Sequence, residues 1–130
     1  MNTETATEFA TRYTAAWCSQ DPASVAAFFA EDGSLAVNED APAKGREAIT
    51  AVAMGFMTTF PDMVLRMDGI EAQGDEFIYR WTLIGTNSGP DGNGNAVQIS
   101  GQEEWLFDAG LVAKSQGKFD AADYQRQMDG

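Results

Sequence analysis

A carboxylic acid occupies the apolar face of a predicted strand around residue 103. The residues that share this face alternate with more polar neighbours: Val97, Ile99, Gly101, Glu103, Trp105 and Phe107. Because alternate side chains of a strand point to one face, Glu103 is predicted to point into the protein. A buried carboxyl group must be hydrogen-bonded, paired with a cation or kept neutral by a raised pKa. Such groups are typical of acid–base sites, but Glu103 could instead bond a buried partner and only fix the core.

The chain contains no histidine and one cysteine. Without histidine, Ser-His-Asp and Cys-His catalysis are excluded, and the commonest ligand of zinc and iron is missing. Acid–base chemistry must therefore use Asp, Glu, Tyr or Lys, and no metal or other cofactor is expected. Cys18 cannot form an intramolecular disulfide, and its place in an apolar helical stretch predicts a small buried residue.

Composition predicts a single domain spanning residues 1–130, of which 44% are apolar. The net charge of −12 repels nucleic acid phosphates and anionic lipids, so neither is an expected partner. No apolar run approaches the roughly 20 residues that cross a bilayer, and the first residues lack the pattern of a secretory signal. We therefore expect a cytoplasmic protein.

Helical spacing of apolar residues predicts three helices in the first half of the chain. They cover about residues 4–19, 22–31 and 45–60, with Tyr13 on the inner face of the first helix. A short strand is predicted at 34–37, between the second and third helices. After Pro61 the period changes to two, which predicts the strands 63–67, 77–83, 97–107 and 111–119, followed by a short terminal helix.

This order of elements predicts an α+β fold in which the sheet buries one face against the helices. A strongly curved sheet would enclose a cone, and a cone closed by helices is a natural pocket for a small apolar ligand. Which face of the strand over 77–83 lines that pocket stays open, because Ile78, Thr82 and Ile84 lie beside Arg80 on the alternate face.

Several short motifs resemble the nuclear transport factor 2-like superfamily, and within it the SnoaL-like polyketide cyclases and the ketosteroid isomerases. They are Arg12-Tyr13-x-Ala15-Ala16-Trp17, Phe29-Ala30-Glu31-Asp32-Gly33, Gly45-Arg46-Glu47-Ala48-Ile49, Phe60-Pro61-Asp62 and Trp105-Leu106-Phe107. The resemblance covers nearly the whole chain and is more specific for a fold than for an activity. It implies three N-terminal helices packed on a strongly curved, mostly antiparallel sheet that forms a cone-shaped barrel. It also implies a homodimer.

The resemblance assigns roles to individual residues. Tyr13 falls where ketosteroid isomerases keep a tyrosine that donates to the developing oxyanion, and Glu103 falls at the partner carboxylic acid, a pairing for which that enzyme is the standard illustration. The match departs at the catalytic base, because the family's aspartate would align near Val37. SnoaL-like cyclases imply another base at the end of the last strand, which places Asp120 in that role.

Two of the acidic candidates have structural alternatives. Asp32, which recurs in the superfamily after the second helix, could serve only a turn, and Asp120 could cap the terminal helix. The usual histidine and tryptophan of the SnoaL-like cyclases are replaced near Ser115 and Gln116. Aromatic and methionine side chains on the predicted inner faces are candidates for substrate binding: Trp17, Phe56, Phe60, Met63, Tyr79, Trp81 and Trp105.

The leading hypothesis is a cofactor-independent isomerase, cyclase or dehydratase that binds an apolar, carbonyl-containing small molecule. Tyr13 and a protonated Glu103 would polarise the carbonyl, while Asp120 or Asp32 would move the proton. The alternative is a non-catalytic ligand-binding or dimeric assembly module of the same fold. The dimer surface would then come from the outer sheet residues Ile78, Thr82, Ile84 and Leu106.

Overall fold

Four helices and six strands make up the chain, and the computed structural model describes every residue from Met1 to Gly130. The helices are α1 (Thr3–Trp17), α2 (Pro22–Ala26), α3 (Arg46–Thr59) and α4 (Ala121–Asp129). The strands are β1 (Phe29–Val37), β2 (Ala43–Lys44), β3 (Val64–Gln73), β4 (Glu76–Thr86), β5 (Ala96–Asp108) and β6 (Leu111–Phe119). The predicted α+β class is confirmed.

The strands form one mixed sheet in the order β2-β1-β6-β5-β4-β3. Strands β1 and β6 run parallel, and every other neighbouring pair is antiparallel. The sheet curls around the helices but does not close, because its edge strands β2 and β3 do not pair with each other. The implied barrel is therefore an open cone, with the apolar core between its inner face and the helices.

Helix α1 supplies the largest apolar stripe that fills this cone. Phe9, Tyr13 and Trp17 follow one another at intervals of four residues, so they lie on one face of the helix, and all three are buried. The side chain of Asn2 accepts a hydrogen bond from the Thr5 backbone N–H at 2.8 Å and so caps the first turn. The cap and the stripe together fix which residues of α1 reach the sheet.

The predicted second helix over 22–31 is too long. Helix α2 ends at Ala26, and Phe29 already belongs to β1, which pairs with β6. Gly33 lies inside this strand, where a Cβ would come within 2.8 Å of the Val112 carbonyl oxygen. The strand begins early because its partner is distant in sequence, which the local pattern does not reveal.

Cys18 is exposed, so the prediction of a buried cysteine is wrong. It follows Trp17 directly, and successive side chains of a helix point about 100° apart, which turns Cys18 away from the buried stripe. Its sulfur contacts the backbone of Leu65 on β3, where the Leu65 N–H lies 3.3 Å from Sγ.

The inner face of β4 carries Phe77, Tyr79, Trp81 and Leu83, which settles the question left open by the sequence. On the outer face, the Thr82 hydroxyl is enclosed by Asp68, Ser100 and Arg66, and Thr82 and Ile78 are both buried within the chain. Those two residues therefore offer no surface for the expected dimer, whereas Leu106 is exposed. The homodimer itself stays a prediction. No helix is long and apolar enough to span a membrane.

Candidate active site

A pocket with a volume of about 60 Å³ lies between α1, α3, α4 and the inner face of the sheet. Of its fourteen lining residues, twelve are hydrophobic, and aromatic rings form much of the wall: Trp17, Phe56, Trp81, Phe119 and Tyr124. Glu103 is the only acidic residue among them. The pocket is therefore apolar with one carboxyl group at its base.

Glu103 is held by hydrogen bonds from three side chains. The Tyr13 hydroxyl lies 3.0 Å from each carboxyl oxygen, the Trp105 indole N–H donates to Oε1 at 3.1 Å, and the Ser115 hydroxyl donates to Oε1 at 2.6 Å. Oε1 thus receives three donors, whereas Oε2 has only its share of Tyr13. The carboxyl group is firmly oriented and still has an oxygen with spare capacity to bond.

Strand register explains how these groups meet. Glu103 pairs with Tyr79 on β4 and with Gly117 on β6, while Trp105, two residues further along β5, pairs with Ser115. All of them face the helices, where Tyr13 approaches from α1. Gly101 keeps this face open, because a Cβ there would lie 2.6 Å from the Trp81 ring. The strands thus place the acceptor and two of its donors, and α1 adds the third.

Burial raises the pKa of the Glu103 carboxyl, and the hydrogen bonds from Ser115, Trp105 and Tyr13 oppose that rise because they favour the ionised form. Glu103 takes part in no salt bridge. Burial, reinforced by the nearby carboxylate, holds the pKa of Tyr13 well above its usual range. The site therefore combines a carboxyl group shifted towards its neutral form with a phenol that keeps its proton.

A family model described as SnoaL-like polyketide cyclase matches residues 7–128, which is almost the whole chain. The chain therefore belongs to the SnoaL-like polyketide cyclase family. The resemblance seen in the sequence motifs is confirmed. No curated protein matches the chain.

Solved structures with the same fold have low sequence identity to this protein. A proposed polyketide cyclase from Xanthomonas campestris pv. campestris aligns with a TM-score of 0.85 at 20% identity, covering 98% of this chain and 99% of that one. An NTF2-like protein of unknown function from Burkholderia pseudomallei aligns with a TM-score of 0.82 at 18% identity, with 100% of both chains covered. A hypothetical protein with a ketosteroid isomerase-like fold from Catenulispora acidiphila, in complex with trimethylamine, aligns with a TM-score of 0.81 at 17% identity, covering 94% of this chain and 92% of that one. At these identities the likeness concerns the fold alone.

The pocket of this SnoaL-like chain contains some of the predicted binding residues. Trp17, Phe56 and Trp81 line it. Tyr79 and Trp105 instead lie behind the wall, stacked on each other with centroids 4.7 Å apart, and the Tyr79 hydroxyl bonds that of Thr14. The last two candidates, Phe60 and Met63, are buried in the core and do not line the pocket.

Neither of the other predicted acidic residues lines the pocket. Asp120 is exposed, and its Oδ1 accepts a hydrogen bond from the Asp123 N–H at 3.0 Å, which is the helix cap that the sequence offered as an alternative. Asp32 is exposed on β1. Glu103 and Tyr13 are therefore the only predicted catalytic residues that the structure brings together.

Ser115 belongs to the site, although from the sequence it was noted only as a position near which the usual histidine and tryptophan of SnoaL-like cyclases are replaced. Its hydroxyl is buried against Glu103, and a serine carries no chemical signal of such a role. The outward alternation of Lys114, Gln116 and Lys118 along β6 could have revealed that Ser115 points inward.

Helix α4 covers the mouth of the pocket without contributing a buried residue. Tyr124 lines the pocket, with its ring 5.4 Å from that of Phe119. The rest of α4 is held by amides: Gln127 bonds the backbone N–H and C=O of Gln98 at 2.7 and 3.0 Å, and Asn93 donates to the Met128 carbonyl at 2.7 Å. The cover is attached by polar contacts at its rim and by two partly buried side chains, Tyr124 and Met128.

The raised pKa of Glu103 predicts a particular pH dependence of stability. The folded protein holds the proton of the Glu103 carboxyl more tightly than the unfolded chain does. In the unfolded chain this carboxyl has its ordinary pKa of 4.5. The contribution of Glu103 to stability is therefore full below that value and is lost as pH rises through the folded pKa. We expect urea unfolding between about pH 4 and 8 to show this loss in the wild type but not in Glu103→Gln. Equal pH profiles for the two proteins would show that Glu103 titrates normally.

Proposed function

We propose that the protein binds an apolar small molecule bearing a carbonyl group and converts it by cofactor-independent acid–base chemistry, as an isomerase, cyclase or dehydratase. The observation that carries this proposal is Glu103, a buried carboxyl group with a raised pKa at the base of an otherwise apolar pocket. Strongly perturbed acids in clefts are characteristic of acid–base sites. Membership of the SnoaL-like polyketide cyclase family supports the reaction class.

In this proposal the proton moves between the ligand and Glu103. A carboxylate with a raised pKa is a stronger base than an ordinary one, because its protonated form is favoured, and it can return the proton to the ligand later in the reaction. Tyr13, which keeps its proton, would turn its hydroxyl from Glu103 to the ligand oxygen and stabilise the enolate that forms there. The sequence assigned proton removal to Asp120 or Asp32, and their positions outside the pocket favour Glu103 instead.

The test uses a simple ketone, because any site that forms an enolate exchanges the protons next to the carbonyl with solvent. Phenylacetone in D₂O would be incubated with the protein, and loss of its α-proton signals would be followed by ¹H NMR. We expect the protein to accelerate this exchange in proportion to its concentration. No acceleration with ketone bound at saturation would exclude enolate chemistry of this kind.

A second candidate function is ligand binding without turnover. It is favoured by Val37, which lines the pocket at the position where the resemblance to ketosteroid isomerases calls for a catalytic aspartate. Saturable binding of the ketone without proton exchange would support this candidate and reject the first.

A further inference from the structure

The indole N–H of Trp17 is the one buried side-chain polar group in the protein that has no hydrogen-bond partner. Trp17 is 8% exposed, and its ring lines the pocket. A buried donor without an acceptor keeps the cost of losing its water and gains nothing in return, so native proteins rarely contain one without a reason. The pocket wall therefore carries a donor whose acceptor must come from elsewhere.

The neighbours of Trp17 do not supply that acceptor. Tyr13 lies one helical turn earlier on α1, and the indole is close enough to favour ionisation of its hydroxyl, but the two groups do not meet with hydrogen-bond geometry. The Tyr13, Trp105 and Ser115 donors are all directed at Glu103. Trp17 thus carries the one fully buried donor of the pocket wall that has no partner within the protein.

We propose that the Trp17 N–H binds an oxygen atom of the ligand, next to the Tyr13 hydroxyl. This inference rests on the proposed function and narrows its ligand class. The ligand is an uncharged, largely apolar molecule whose carbonyl oxygen accepts a hydrogen bond from the Trp17 indole. A hydrocarbon of the same shape fills the same space but leaves the Trp17 donor unsatisfied.

The test compares two ligands of nearly equal shape, acetophenone and α-methylstyrene, which differ by C=O against C=CH₂. The chain has three tryptophans, so a ¹⁵N-labelled sample gives three indole N–H signals, and Trp17→Phe identifies the one from Trp17. We expect acetophenone to shift the Trp17 indole proton downfield and α-methylstyrene not to do so. Trp105, already bonded to Glu103, provides an internal reference.

Affinity provides a second readout. Loss of a neutral hydrogen bond should weaken acetophenone binding to Trp17→Phe by about threefold to tenfold relative to the wild type. The affinity for α-methylstyrene, which makes no such bond, should change only by the small factor that a control variant of the pocket wall also shows. That control is Phe56→Leu, which reduces the same wall beside Trp17 without removing an N–H donor, so it should affect both ligands equally.

The outcomes separate this inference from the proposed function. If acetophenone binds without a downfield shift of the Trp17 indole proton, and equally well to Trp17→Phe, the role of Trp17 is overturned and the proposed function stands. If neither ligand binds to the wild type, both are overturned. If Trp17→Phe fails to fold, the wild-type titration with the two ligands still decides.

Discussion

Replacing Glu103 with glutamine is expected to slow proton exchange of a bound ketone by about 10²–10⁴-fold while the protein stays folded. The amide has the same shape, and its oxygen can still accept from Trp105 and Ser115. An amide, however, cannot take up and return a proton at neutral pH. The measurement is the rate of ¹H signal loss from phenylacetone in D₂O, with circular dichroism to verify the fold.

The adjacent residue provides a matched control. Glu104 lies on the outer face of β5, where it pairs with Lys118 rather than with the pocket. Glu104→Gln should therefore exchange the ketone at the wild-type rate. Equal slowing in both variants would mean that net charge, rather than a specific carboxyl group, governs the rate, and full activity in Glu103→Gln would remove Glu103 from the mechanism.

Replacing Tyr13 with alanine is expected to cause the largest loss of stability, about 3–5 kcal/mol in the free energy of unfolding. The Tyr13 ring is completely buried and packs edge-on against Trp105, Tyr79 and Phe28, so its removal leaves a large cavity. Tyr13→Phe keeps the ring but removes the only hydrogen-bond partner of Glu103 Oε2. We expect this variant to lower the free energy of unfolding by about 1–3 kcal/mol. Urea midpoints at unchanged slope give both values.

The difference between the two Tyr13 variants separates packing from hydrogen bonding. Tyr124→Ala, at a half-buried ring on α4, should cost much less than Tyr13→Ala, because α4 contributes no buried residue. If Tyr13→Ala and Tyr13→Phe lose the same stability, the hydroxyl and not the ring holds α1 to the sheet.

Features with a local period were predictable from the sequence. Alternation along β5 placed Glu103 on the inner face, and the four-residue spacing of α1 placed Tyr13 opposite it. Both periods follow from backbone geometry alone, which is the same in any fold. Tyr13 and Glu103 are 90 residues apart in the sequence, and their pairing was predicted from the family resemblance. The structure contains this contact.

Features that depend on distant strands were not predictable. The early start of β1 follows from its parallel pairing with β6, more than 75 residues away, and no local signal marks it. The bond from Ser115 to Glu103 likewise depends on the register between β5 and β6. Asp120 had two compatible roles in the sequence, and only its position beside the Asp123 N–H shows that it caps a helix.

The rim attachment of α4 has a kinetic consequence. Since this helix is fastened only by amide hydrogen bonds and by the partly buried side chains of Tyr124 and Met128, we expect it to detach at a lower free energy than the one that unfolds the sheet. Such partial openings take microseconds to seconds, so ligands could enter and leave while the core remains intact. The residence time of a ligand would then be set by the last turns of the chain, and the lifetime of the fold by the strands beneath them.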